Sequence, residues 1–389
     1  MANLIRILPT VCLATLCALS PFVAAAASQN VAAEADVAAV GQAIATAFNE
    51  RDAEAFMRTM NTDAFARTVL GTFDLSKKDA ADIAQRLPSA LRTNVEAGMR
   101  SMEKSNGSAK FLRSGVQGEM AYALVRLDLG DSGVDYIKYY VSRRRAVEDW
   151  YAFTAASQLS AQVRFNLAFL LKNDSLLSAL FGARSVSQDD LEPFLEIRKH
   201  VAKDDYAAAY HSLEKFPEAY RKSRQWALLR VTYGSRAGDD QYRAALRHLA
   251  ANFGGDSELQ LILVDHYFYE QRFDRALDSI GALEGAIGGE DASTVSLRGN
   301  LLTTLKRYDE AATACRRGMA LEPDFASAYW CLVAVALAKN DGKLAVEGLT
   351  AYEEAFDARF DPDELAKTEA YQQIARTREF TSWAKAHKP

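Results

Sequence analysis

Histidine is scarce in this 389-residue chain: five residues, at positions 200, 211, 248, 266 and 387. None precedes position 200, so the first half has no imidazole acid or base. Cysteine is as scarce, with four residues at 12, 17, 315 and 331, and no Cys/His group has the spacing of a zinc site. Asp265-His266 does not replace one, because neighbours on a helix diverge by about 100°. There is no Gly-x-Ser-x-Gly elbow and no glycine-rich phosphate loop; GDDQ, GGDS and GGED fall between helical segments. No basic run exceeds Arg143-Arg144-Arg145 and the net charge is -5, so the electrostatic footprint of a nucleic-acid binder is missing. These absences point to a protein that is not an enzyme and holds no metal or other cofactor.

What is present is an ordinary globular composition, 49% hydrophobic and 25% charged, enough for two or three domains. The first residues, MANLIRILPTVCLATLCALSPFVAAAASQN, have the layout of a secretory signal peptide. Arg6 supplies the positive start, Ile7 to Leu19 the apolar stretch, and Ala25-x-Ala27 the small residues before cleavage at Ser28. A lipid anchor is excluded because Cys12 follows Val11 and Cys17 follows Leu16. With residues 1–27 removed the charge becomes -6, since Arg6 is lost and no acid with it. No later stretch is long and apolar enough to span a bilayer. The expected address is the cell envelope, the periplasm of a Gram-negative cell.

Residues 35–157 read as an α+β domain. Val37, Val40, Ile44, Phe48, Phe56 and Met60 follow helical spacing with a break near Asn49–Asp52. Ser76 and Asp79 form a capping box opening a helix through Ile83, Leu87, Leu91, Val95, Met99 and Met102, with Pro88 as its expected kink. The period then falls to two: strands are expected at Lys110–Val116, Met120–Leu129, Val134–Arg143 and Val147–Phe153, joined by hairpin-type turns. Helices followed by an antiparallel meander resemble the NTF2-like cone fold, whose curved sheet wraps helices around a cavity. That resemblance implies a cavity site near Tyr122, Tyr136, Tyr140, Asp149 and Trp150. The carboxylates available there are Asp128, Asp131, Asp135 and Asp149; Asp149 precedes Trp150 in a strand and could face a cavity, a solvated strand position being the plainer expectation for it. Residues 158–189 read as connecting helices and linker: Leu159–Gly182 is an apolar helix pair needing cover from the sheet or the first repeat, and 183–190 (ARSVSQDD) is the linker.

From 190 to 360 an aromatic recurs before an alanine three residues later: Tyr206/Ala209, Tyr242/Ala245, Phe273/Ala276 and Tyr308/Ala311. A degenerate fifth unit has Ala345 at the alanine position. In the unit starting at Ala292, Gly299 falls at position 8, Tyr308 at 17, Ala311 at 20, Gly318 at 27 and Pro323 at 32. This resembles the tetratricopeptide repeat (TPR), an all-α solenoid of paired helices. Small side chains sit where two helix axes cross, an aromatic fills the wedge at the turn, and proline stops the second helix. In 190–256 the small positions are filled by Ile197, Tyr233, Phe216 and Asn252, so looser packing is expected there. Residues 361–389 form a C-terminal capping helix, with Asp361 as N-cap, Pro362 first in the helix and Glu364 completing the box.

The resemblance also places a concave groove on each first helix. Here it runs through Leu261, Asp265, Phe268 and Tyr269, then Asn300, Thr303 and Thr304, then Trp330, Ala334 and Leu337, a set able to clasp a peptide. The carboxylate-clamp ligand of some family members is not expected, because Ser327 and Cys331 stand where its Lys or Arg would be. Whether the groove is open or covered by the chain itself stays undecided. Cys315 and Cys331 are equidistant from Pro323 across an antiparallel turn, so in an oxidising compartment a disulfide is possible; two small buried thiols are the alternative. Two functions therefore stand side by side: an envelope scaffold binding another protein through the repeats, or a small-molecule binder using the N-terminal cavity.

Overall fold

The computed structural model describes residues 33–130, 133–170 and 192–387. The signal segment, Asp131 and the linker 183–190 lie outside the described residues, as does the second half of the connecting helix pair. The chain forms two compact units, 1–269 and 270–389. Their boundary falls inside the third expected repeat rather than at the edge of the α+β region.

The first unit opens with α1 (Glu34–Asn49), whose Val37, Val40, Ile44 and Phe48 are buried on one face. The expected break follows. Arg51 takes a left-handed conformation (φ 58°), and the Asp52 carboxylate then caps α2 (Ala53–Arg58) by accepting the Ala55 N–H at 2.9 Å. Asn61 caps α3 (Thr62–Leu70) in the same way. Ser76 caps α4 (Lys77–Lys104), accepting from the Asp79 N–H and donating to its carboxylate. The helix runs on through Pro88 and buries Leu87, Leu91, Val95, Met99 and Met102.

The sheet is an antiparallel meander in order β1-β2-β3-β4-β5: β1 (Ser108–Gln117), β2 (Met120–Asp128), β3 (Val134–Val141), β4 (Val147–Ala152) and β5 (Ser157–Gln158). The Asn49 amide clamps the end of α1 to β1, donating to the Ala109 carbonyl at 2.9 Å and accepting its N–H at 2.7 Å. The strand face built from Ala123, Val125, Leu127, Ile137, Tyr139, Val147 and Trp150 shares one core with α1, α2 and α4. Each large side chain buried there contributes about 1.5–3 kcal/mol.

α5 (Leu159–Leu170) follows directly. It contacts α3 and β4, and its Ala161, Phe165 and Ala168 belong to the core of the first helical repeats. The described half of the connecting segment therefore finds cover on both sides. The described α-helices from 192 to 269 are α6 (Glu192–Val201), α7 (Tyr206–Leu213), a one-turn α8 (Glu218–Arg221), α9 (Arg224–Ala237), α10 (Asp239–Phe253) and α11 (Gln260–Tyr269). The eight-residue α7 and the inserted α8 are the irregularity expected of 190–256.

The second unit holds α12 (Phe273–Ile287), α13 (Ala292–Thr304), α14 (Tyr308–Leu321), α15 (Ala326–Lys339) and α16 (Gly342–Phe356). α13 packs on α14 and on α15, and α15 packs on α16, so first helices lie beside first helices as in a repeat stack. Tyr308 and Phe273 each open a second helix, and Ala209, Ala245, Ala276, Ala311 and Ala345 are each 0% exposed. The helix pairs are thus tetratricopeptide-type repeats in their own packing.

The tail departs from a single capping helix. Asp361 does cap α17 (Pro362–Lys367), accepting the N–H groups of Asp363 and Glu364, but that helix ends after six residues. Two 3-10 turns lead to α18 (Arg378–His387). The reason lies in the side chains: Tyr371, Ile374, Phe380 and Trp383 all have to reach the core of the last pair, and no single straight helix face offers them in that order.

Candidate functional site

Two places were expected to carry function, the N-terminal cavity and the first-helix groove, and one pair, Cys315 and Cys331, to form a possible disulfide. The cavity exists but is small, about 70 Å³, enough for a few water molecules and well below a typical ligand pocket. Its walls include Phe48, Phe56, Asn94, Val95, Asp135, Ile137, Tyr139, Trp150 and Gln162. Of the five residues expected there, Trp150 lines it. Strand alternation sends Tyr122, Tyr136, Tyr140 and Asp149 to the opposite face of the sheet, as their registers show: Tyr122 pairs with Tyr140, and Tyr140 with Asp149.

That opposite face is buried as well. Lys138 lies over the Tyr122 ring at 4.7 Å, and Phe153 packs edge-on against Tyr136 and Tyr151. Tyr151 donates to the Glu258 carbonyl at 3.4 Å, and the buried Arg224 guanidinium bonds the Ala156 carbonyl together with the carboxylates of Asp256 and Glu258. The sheet's second face is thereby tied to the helical part of the same unit.

Asp149 is not the solvated strand residue expected, and Asp135 is buried as well. The Asp149 carboxylate accepts the N–H groups of Trp150 and Ser160 and the Ser160 hydroxyl, holding the start of α5. Asp135 accepts the N–H and hydroxyl of Thr154 at 3.0 and 2.6 Å. Burial pushes both carboxyls up to about 6, against the pull of those hydrogen bonds toward ionisation. Both are anchors of turns; Asp135 is the one that also borders the cavity.

The groove residues divide between the two units. In α11, Leu261 and Asp265 are each 1% exposed and belong to the interior, not to an open face. The Tyr242 hydroxyl donates to Asp265 at 2.6 Å. Phe268 and Tyr269 are half-buried, and Tyr269 stands edge-on to Tyr242 under the Arg243 guanidinium. The physical cause is composition: QLILVDHYFY is apolar around most of its circumference, so its first two turns need cover on more than one side.

In the second unit the expected face is more open. Asn300 and Thr303 are half-buried and Thr304 is exposed, though both threonine hydroxyls donate back to carbonyls of their own helix. On the adjoining α15, Ser327 and Trp330 are exposed and Ala334 and Leu337 half-buried along one stripe. Trp330 keeps 39% of its surface in solvent. Its ring packs on Tyr352 and Phe360, with centroids 5.1 and 5.7 Å away, and Tyr352 also meets Phe356 at 4.6 Å. Tyr352, Phe356 and Phe360 were missed by the sequence reading. Their signal was present, an aromatic at every fourth position from 352 to 360, which puts them on one side of α16 and its exit.

Cys315 and Cys331 form a disulfide between α14 and α15, with Cα atoms 5.5 Å apart. Gly299 of α13 lies directly over it: a Cβ there would sit 2.5 and 2.7 Å from the two sulfurs. Gly318 is constrained likewise, a Cβ falling 2.8 Å from the Ser296 hydroxyl and 3.1 Å from the Ala328 Cβ. Among the described residues no cluster of three or more His, Cys, Asp or Glu is arranged to hold a metal, and no helix is long and apolar enough to cross a membrane.

No protein-family model matches the chain, and no curated protein matches it. Among solved structures it is similar to PilW, described as a widely conserved type IV pilus biogenesis factor (15% identity, 52% of this chain and 94% of that one, TM-score 0.34). It is also similar to a tetratricopeptide repeat protein from Parabacteroides merdae (15%, 52% and 81%, TM-score 0.38). A mutant of MamA aligns with 20% identity over 44% of this chain and 99% of that one, at a TM-score of 0.33. At these scores the repeat architecture rests on the chain's own evidence: paired helices, five alanines at zero exposure and glycines placed where helices meet.

Proposed function

We propose that this chain is an exported, non-catalytic scaffold that binds another protein through the face carrying Asn300, Thr303, Thr304 and Trp330. The observation that carries this reading is Trp330: a large aromatic left 39% exposed, on the helix face where paired-helix repeats receive extended or helical peptides. In this proposal the α+β region 35–157 is an NTF2-like module that buttresses the repeats, and residues 1–27 direct the chain to the cell envelope. Affinity capture from an envelope extract tests it: the native chain retains a partner in amounts that W330A loses, and equal recovery from a resin without protein would contradict it.

The alternative, a small-molecule site in the N-terminal cavity, has one observation in its favour, the Asp135 carboxyl bordering a mainly apolar space. A volume of about 70 Å³ limits it to a very small guest.

A further inference from the structure

The cavity of the first unit carries charge of one sign. Among the described residues on its wall, Asp135 has the charged side chain and Tyr139 is the other group that titrates; no lysine, arginine or histidine borders the space. Asp135 stands on β3 directly across from Leu127 of β2, so strand alternation turns both to the same face of the sheet. Its two oxygens accept from the Thr154 N–H and hydroxyl, both neutral donors. Burial pushes the carboxyl up to about 6, and no cation acts against that push. Asp149 differs: the Arg164 charge acts on it from nearby.

Three more polar groups on this wall are uncommitted among the described residues. The Tyr139 hydroxyl is buried near enough to Asp135 to feel its charge, with no hydrogen bond of its own. Gln162, 4% exposed, donates its amide to the Ser157 hydroxyl at 2.7 Å and keeps its side-chain oxygen over. The Asn94 amide is half-buried. Buried polar groups left unmatched cost free energy, and a lone buried carboxylate most of all, so the wall fits a guest that supplies donors and positive charge. The remaining wall, with Val95, Leu127 and Ile137, is apolar and fits a short hydrocarbon group.

We propose that this cavity binds a small primary alkylammonium ion, its charge on Asp135, with the Gln162 and Tyr139 oxygens as further acceptors and its alkyl group against Val95, Leu127 and Ile137. This rests on the second reading above and names the ligand class of that site. A space of about 70 Å³ takes about four non-hydrogen atoms, the size of propylammonium.

The test uses the full mature chain with nitrogen-15 in its tryptophan indoles. The chain has four tryptophans, and W150F assigns the indole signal that belongs to the cavity wall. Propylammonium, 1-propanol and acetate, all of one size, are titrated at pH 7. Propylammonium is expected to move the Trp150 signal with a dissociation constant of about 0.1–10 mM, the scale open to so few atoms. 1-Propanol should bind at least about fivefold more weakly, and acetate should leave the signal in place. Propylammonium affinity should fall about tenfold from pH 7 to pH 5, as Asp135 takes up its proton, with 1-propanol unaffected. D135N should lose about tenfold for propylammonium and keep its affinity for 1-propanol. Y139F, which removes a hydroxyl that has no protein partner, should lose severalfold and keeps the test alive should D135N fold poorly. 1-Propanol or acetate binding as tightly as propylammonium overturns the inference and leaves the cavity reading standing. So does propylammonium binding that neither pH nor the variants change. A Trp150 signal moved by none of the three sinks the cavity reading and this inference together.

Discussion

A Cβ placed on Gly299 would lie 2.5 Å from the Sγ of Cys331. The glycine of one helix and the disulfide joining the next two therefore occupy one shared volume. The small residue at the helix crossing is needed because sulfur fills the space that a side chain would take.

G299A should accordingly destabilise the second unit by about 1–3 kcal/mol, the usual range for overpacking a tight interior. In a C315A/C331A background the same change should cost clearly less, because the obstructing sulfurs are gone. Urea melts of the four proteins form a double-mutant cycle. Equal costs in both backgrounds would show that the sulfurs are not what Gly299 accommodates.

Reducing the disulfide should weaken the unit by about 3 kcal/mol, the chain-entropy expectation for a loop of this size, given a separation of 16 residues. Alkylation of the unreduced, unfolded protein followed by mass spectrometry should find neither cysteine modified. Two alkylated thiols would contradict the bridge.

The pH dependence of stability follows from Asp135 and Asp149. Burial raises both from 3.8 to about 6 in the folded protein, so the folded state holds these protons more tightly than the unfolded chain. Their contribution is complete below about pH 4 and is lost as pH rises through about 6. D149N should flatten that window by a few kcal/mol at most, since the amide oxygen still accepts from Trp150 and Ser160 while its NH₂ faces the Ser160 hydroxyl. Chemical denaturation at pH 4, 5, 6 and 7 measures it. A native profile rising through this window, with D149N parallel to it, would refute the assignment.

Much of the fold was legible in the residues. Alternation placed β2 to β4 to within two residues, Ser76-x-x-Asp79 marked the start of α4, and the aromatic-alanine step found the turn of four helix pairs. The sites were less legible for identifiable reasons. Met120–Asp128 is buried on both faces, so alternation shows that side chains diverge but not which face meets the cavity. That is why alternation alone did not separate Trp150, which lines the cavity, from Tyr122, Tyr136, Tyr140 and Asp149, which stand on the other face. Leu261 and Asp265 sit at groove positions of a regular repeat, yet their helix is covered around most of its girth. Of the aromatic partners of Trp330, Tyr352 lies within α16, where the repeat pattern expects a small residue, and Phe360 lies beyond the helix end, where the pattern assigns no position.

The central claim is that Trp330 marks the surface through which this chain holds a partner. The most direct measurement is affinity capture from envelope extract with native protein and W330A side by side, both verified as folded by circular dichroism. The account predicts a band retained by native protein and reduced at least about tenfold by W330A, in line with the loss of a central aromatic anchor. A partner held equally by both proteins would contradict it.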